Sequence, residues 1–198
     1  ADYDQGFSGC AVHQQTQRAY AIGEAEGGNQ ALVLLDANLQ VITTVEATGD
    51  VPEDFEDKGY DPIRDVAVHG DQVIVLASDH HAEGSGLRLL DLDGRFLRTI
   101  AAGQFRNPQA ATVSHGRAFV VDDDDDDDKD DGDDDDDDDD ESGKVLHVID
   151  LQSGDFLQSV RLGLQHEVSA IRVDGDEIYI ASFDASKVVV LRYAGSEA

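Results

Sequence analysis

The apolar positions of this chain fall in short runs, not in a helical stripe. Residues 63–69 read Ile-Arg-Asp-Val-Ala-Val-His, residues 72–76 Gln-Val-Ile-Val-Leu, residues 87–91 Leu-Arg-Leu-Leu-Asp, and residues 95–100 Arg-Phe-Leu-Arg-Thr-Ile. β-branched, aromatic and leucine-rich runs bounded by Gly, Asp and Asn predict short antiparallel strands joined by tight turns. The same order of runs returns three more times, at 7–13, 18–22, 31–36 and 41–45, at 109–115, 118–121, 145–150 and 155–160, and at 168–174, 177–181 and 187–192. No segment keeps a helical period.

Self-similarity at a period of about 40 residues is a signature of propeller blades. The chain is therefore expected to be all-β, a β-propeller-like array of about four antiparallel four-stranded blades with the last blade incomplete. The blades span approximately 7–47, 60–101, 107–162 and 166–195 of a single domain, 1–198, and the third carries an acidic insert at 122–141 between its second and third strands. Asp93-Gly94 supplies the positive backbone angles of a tight hairpin turn, and Asp150 to Leu157 is the same hairpin with a longer turn. His13, His69 and His115 recur at one place in successive blades, where the fourth has Asp174, so they read as turn residues and not as one metal cluster.

No fourth run follows 187–192, so the last blade is expected to leave unpaired backbone at a sheet edge. Residues 1 to 6, the rest of a longer chain of which this ring is a remnant, or a strand from a second copy are the ways to cover it, and the last gives closed oligomers or a filament according to whether the rotation closes.

Val66-Ala-Val-His-Gly70, the stretch from Leu89 to Ile100 reading Leu-Leu-Asp-Leu-Asp-Gly-Arg-Phe-Leu-Arg-Thr-Ile, and Gly103-Gln-Phe-Arg-Asn-Pro108 leading into the next blade resemble the NHL-repeat group of β-propellers. The resemblance covers residues 7 to 195 as a pattern and 66 to 121 closely. It implies blade geometry, in a family that includes ligand-binding scaffolds, lactonases and lyases. Such propellers usually close with six blades, whereas this chain offers about four.

Charge changes this picture. Of 44 acidic residues in a chain of formal charge -30, 18 lie between Asp122 and Glu141, and removing that segment's net -17 leaves -13. Nucleic acid is excluded as a partner, because phosphate binding needs clustered Lys and Arg, and anionic membrane surfaces are excluded on the same ground. No apolar run reaches the roughly 18 residues that span a bilayer, so no membrane insertion is expected. The field attracts cations and basic surfaces instead. Cys10 stands alone, which rules out an intrachain disulfide, and it reads as a small buried hydrophobe in a strand. There is no methionine, and Ala1-Asp2-Tyr3-Asp4 suits an end left after a signal peptide, which points to an extracellular or periplasmic protein.

The acidic tract is the first candidate site. Carboxylate oxygens suit hard cations, chiefly calcium, and Asp122, Asp123, Asp124, Asp125, Asp133, Asp134, Asp135, Asp136 and Glu141 are the expected ligands. The tract lacks the interleaved spacing of an EF-hand loop, so the sites are expected to be weak and multiple. A second acidic stretch joins the first two blades, with Asp54, Glu56 and Asp57 as its candidate ligands. His80 and His81, with Asp79 and Glu83, lie in a Gly-rich loop where adjacent side chains point apart. Acids and amides near strand ends that face a propeller channel are Glu24, Asp65, Asp79, Asn107, Glu167 and Asp184, none with a distinctive spacing. No nucleophile elbow, phosphate-binding loop or dinucleotide fingerprint occurs. The pattern favours a non-enzymatic secreted scaffold that binds divalent cations and associates with itself or another protein through its open blade edge. A metal-dependent lactonase- or phytase-like hydrolase and a fragment of a larger propeller sensor stand as alternatives.

Overall fold

The computed structural model describes residues 9–24, 30–46, 63–78, 85–123, 143–164, 166–182 and 186–193. Every regular element among them is a strand. The first blade holds β1 (Cys10–His13), β2 (Arg18–Glu24), β3 (Gln30–Leu35) and β4 (Val41–Glu46), and the second β5 (Ile63–His69), β6 (Gln72–Ala77), β7 (Gly86–Asp91) and β8 (Phe96–Ile100). The third holds β9 (Asn107–Ser114), β10 (Arg117–Asp123), β11 (Lys144–Asp150) and β12 (Phe156–Arg161), and the fourth β13 (Val168–Asp174), β14 (Glu177–Ser182) and β15 (Lys187–Arg192). Each blade is an antiparallel meander in chain order, four-stranded in the first three and three-stranded in the last among the described residues. This is a four-bladed β-propeller array, as the repeat predicts.

Period-2 alternation turns each blade into two apolar faces, one toward the preceding blade and one toward the next. Tyr20, Ile22, Leu32 and Leu34 of the first blade pack against Ile63, Val66, Val73, Val75 and Leu90 of the second. The forward face of the second, Ile74, Leu76, Leu87 and Leu89, meets Ala111, Ala118, Val120 and Ile149 of the third. Phe119, Val121, Leu146 and Val148 then meet Val168, Ile171, Ile178 and Ile180 of the fourth. Innermost strands follow the same order, β1 against β5, β5 against β9 and β9 against β13, and β13 makes no comparable contact with β1. The packed core is thus three inter-blade layers, with a smaller cluster of Ala21, Val33 and Leu35 on the rear face of the first blade.

Hydrogen bonds tie the blades where side chains alone would let them slide. Arg18 Nη1 and Tyr20 Oη donate to the Leu92 carbonyl at 3.0 and 2.9 Å, and Arg98 donates to the carbonyls of Leu151 and Gln152 at 2.7 and 2.8 Å. Leu92 and Leu151 occupy the same place in successive blades, just beyond the third strand. Arg117 donates to Tyr193 Oη at 2.7 Å and lies over its ring.

Two details depart from the sequence reading. Cys10 lies in a strand but is exposed, because β1 turns that side away from the face packed on the second blade. And β10 runs into the first two residues of the acidic tract, for reasons that lie in the site at its end.

Candidate functional site

Asp122 and Asp123 close β10, and both are engaged by structure. The Asp122 carboxylate is buried and accepts the backbone N–H groups of Arg106 and Asn107 at 3.0 and 2.9 Å, which anchors the segment entering β9. Pairing of Asp122 with Val145 and of Asp123 with Lys144 extends the ladder, and the Lys144 ammonium is ion-paired to Asp123. Gln109 Nε2 donates to Asp123 Oδ2 at 3.1 Å, while Oδ1 of Asp123 is buried and accepts no bond. A strand end thus persists into an aspartate run because backbone donors hold the Asp122 carboxylate while Gln109 and Lys144 hold one oxygen of Asp123. Asp124, Asp125, Asp133, Asp134, Asp135, Asp136 and Glu141, and likewise Asp54, Glu56 and Asp57, lie outside the described residues, as do Asp79, His80, His81, Glu83 and Asp184.

Beside this strand end is a cavity of about 340 Å³ lined by Gln104, Arg106, Asp122, His147, Ser159 and Arg161. His147 shares a hydrogen bond with Ser159 at 2.8 Å, and its Nε2 stands 3.8 Å from Asp122 Oδ2. Its ring packs edge-on to Phe156 at 5.1 Å between centroids. Pairing of β10, β11 and β12 brings these groups together from far apart in the chain, so no motif announces them. Ser159 and His147 thus stand as a hydroxyl beside an imidazole, with Asp122 too far from the ring's other nitrogen to hydrogen-bond it, and among the described residues no group of three His, Cys, Asp or Glu is placed to hold a metal.

Of the channel candidates, Asp65 is the one with a defined role. Its two carboxylate oxygens accept Val66 N–H at 2.8 Å and Ala111 N–H at 3.0 Å, the second across the blade boundary. Burial pushes its carboxyl above the ordinary range, against the pull of those two donors. Gln109 makes a similar tie across the next blade boundary, accepting Val168 N–H at 2.7 Å. Asn107 donates its backbone N–H to Asp122, and Glu167 is exposed. His13 and His115 do sit at turns, His13 sharing a 2.8 Å bond with Thr16 and His115 in left-handed conformation.

The second functional feature is the forward face of the last blade. The inner hairpins pair Asp174 with Glu177 and His69 with Gln72, so Tyr179, Ala181, Val188 and Val190 stand where Ile74, Leu76, Leu87 and Leu89 stand in the second blade. Leu87 and Leu89 are 0% exposed, whereas Val188 is 61% and Val190 51% exposed. On a face that the other three blades bury, Tyr179 and Ala181 are half-buried and Val188 and Val190 exposed.

No protein-family model matches the chain, and neither does any curated protein. Among solved structures it is similar to the WD40 domain of Neurospora crassa Pan2, with a TM-score of 0.61 and 14% identity over 98% of this chain and 48% of that one. It is also similar to a chain of a nidogen/laminin complex, with a TM-score of 0.60 and 11% identity over 96% of this chain and 77% of that one. The complex of KlAtg21 with the coiled coil of AgAtg16 gives 0.53 and 12% identity over 90% and 50%. This chain therefore spans about half the length of the Pan2 domain. These likenesses establish the β-propeller class, and the narrower NHL-repeat identity does not follow from them.

Proposed function

We propose that this chain is a non-enzymatic scaffold that assembles with copies of itself through the forward face of its last blade and gathers divalent cations, calcium foremost, on its acidic segments. The observation that carries the reading is the exposure of Val188 and Val190, 61% and 51%, at positions that other blades bury completely. Apolar surface kept dry by a neighbour in three repeats and bare in the fourth is the mark of a contact surface. A second copy meeting it face to face gives a closed dimer, and a head-to-tail contact gives a filament. The cation reading is supported by 18 carboxylates between Asp122 and Glu141 and by the unsatisfied buried oxygen of Asp123 at the root of that segment. Loose carboxylate sites suit the extracellular or periplasmic range of calcium, where modules bind at about 10⁻⁴ to 10⁻³ M.

Size-exclusion chromatography with light scattering, in calcium and again in chelator, tests both parts. A multiple of the chain mass in calcium that falls to one chain in Val188→Glu supports assembly, and loss of most calcium uptake on deleting 124–141 supports the cation sites. A single-chain mass in both buffers at high micromolar concentration would sink the assembly reading.

A further inference from the structure

Among the described residues the last blade also has an unpaired edge, a surface distinct from its forward face. In the first three blades the residue at the end of the third strand, or one beyond it in the first, is an aspartate that builds the hairpin to the outer strand. Asp36 Oδ1 accepts the N–H groups of Asn38 and Gln40 at 2.8 and 2.9 Å, Asp91 Oδ1 those of Asp93 and Arg95 at 2.9 Å each, and Asp150 Oδ1 those of Gln152 and Ser153 at 2.8 Å each. The backbone N–H of each aspartate donates across to the outer segment, to the carbonyls of Gln40, Arg95 and Asp155, each at 2.9 Å. In the fourth blade this position is Arg192, which has no acceptor with which to fold such a turn. The hairpin that would deliver an outer strand is missing its organising residue.

The edge is nevertheless a strand edge of the same geometry. Tyr193 N–H donates inward to Asp176 O at 2.8 Å, so Leu191 and Val189 also direct their backbone groups to β14. By alternation Val188, Val190 and Arg192 direct theirs outward. Among the described residues no strand pairs with them.

The chain spells out what fits there. Its outer strands read Val41-Ile-Thr-Thr-Val45, Phe96-Leu-Arg-Thr-Ile100 and Phe156-Leu-Gln-Ser-Val160, one pattern of two apolar residues, a variable one, Ser or Thr, then Val or Ile. All three pair antiparallel with their third strand and share one bulge, opposite Leu34/Leu35, Leu89/Leu90 and Val148/Ile149. The ends of β15 add a charge requirement. Arg192 and Lys187 lie at its two ends in a chain of net charge -30, and an added strand sets its first and last residues opposite them. Opposite charges in cross-strand pairs stabilise and like charges oppose.

We propose that the outer edge of β15 accepts an extended segment of a partner protein as the fourth strand of the last blade, with the pattern acidic, apolar, apolar, any, Ser or Thr, Val or Ile, acidic. Main-chain bonds to Val188, Val190 and Arg192 supply the affinity, and Lys187 and Arg192 supply the choice of partner. The inference goes beyond face-to-face assembly and stands whether or not the faces pair.

The test uses the full chain and a dye-labelled peptide Asp-Phe-Leu-Gln-Ser-Val-Glu, read by fluorescence anisotropy. Saturable one-to-one binding is expected, with none for a scrambled peptide. Val190→Pro removes an outward N–H and no ladder bond, a substitution that edge strands tolerate, and it should abolish binding while circular dichroism stays unchanged. Lys187→Glu with Arg192→Glu should weaken binding at least tenfold, and a peptide ending in lysines should recover it. Ala181→Glu, which disrupts the same face from β14 and lies off the edge, should leave peptide binding intact, so the two proposals fail separately. Absence of saturable binding, or binding indifferent to both Val190→Pro and charge reversal, overturns the proposal. So does a dimer that Val190→Pro dissociates and the peptide does not, because the edge then belongs to a second copy.

Discussion

The second and fourth blades carry the same hairpins in the same register, yet their forward faces have opposite fates. Leu87 and Leu89 are sealed under the third blade, and Val188 and Val190 face solvent at matching positions. The difference is not in local propensity, since both strands are predominantly apolar. It lies in the neighbour. A forward face is sealed where the next blade stands against it, so similar apolar patterns become interior in one place and exposed surface in another.

The largest effect should come from cutting into the sealed face. Leu89→Ala leaves a cavity between the second and third blades and should cost about 3 kcal/mol in urea unfolding, whereas Val190→Ala should cost under about 0.5 kcal/mol. Equal costs at the two positions would mean that the fourth blade is covered as well as the second. Next comes the turn that seats the second blade on the first. Gly94 has φ of +81°, and a Cβ there would come within 2.7 Å of Val45 Cγ2. Gly94→Ala should therefore cost about 2 kcal/mol, against about 0.5 to 1 kcal/mol at Gly175, which shares the positive φ with open space around it. A similar loss at both would show that backbone strain and not inter-blade contact dominates.

A smaller and pH-dependent effect should mark the tie from Asp65 to Ala111. Asn in its place keeps one acceptor and turns the other into a donor facing an N–H, which should cost about 1–2 kcal/mol near neutral pH. Because burial raises the folded carboxyl above its unfolded value of about 3.9, the proton is held more tightly by the folded chain. Stability from this group is thus lowest above the raised value, grows as pH falls through it, and levels off below the unfolded one. The wild type minus Asp65→Asn difference in unfolding free energy should follow that course, and a flat difference between pH 4 and 7 would show that Asp65 does not titrate in this range. The smallest effect is expected at the Arg18–Asp93 pair, 2.7 Å apart at the exposed rim between the first two blades. Its guanidinium holds the Asp93 carboxyl below the ordinary range, and Arg18→Lys should barely move the unfolding midpoint.

Much of this architecture was legible in the chain. Turn glycines, alternating runs and their recurrence specify strands, hairpins and blade order, because those depend on backbone angles and on a period that one strand sets by itself. The position of the acidic tract between β10 and β11 follows from the same repeat. The tract's first two aspartates were a different matter. Nothing in a run of aspartates says that Asp122 and Asp123 continue a strand, since that depends on the Arg106 and Asn107 N–H groups and on Lys144, all of which arrive through pairing across the sheet. The exposure of Cys10, the bridging role of Asp65 and the cavity around His147 were equally out of reach. Sequence determined which residues form strands and where the chain turns, because those are local choices. Tertiary structure alone decided which of two equally apolar faces is buried and which acids are satisfied, because burial and hydrogen bonding belong to a residue's neighbours in space.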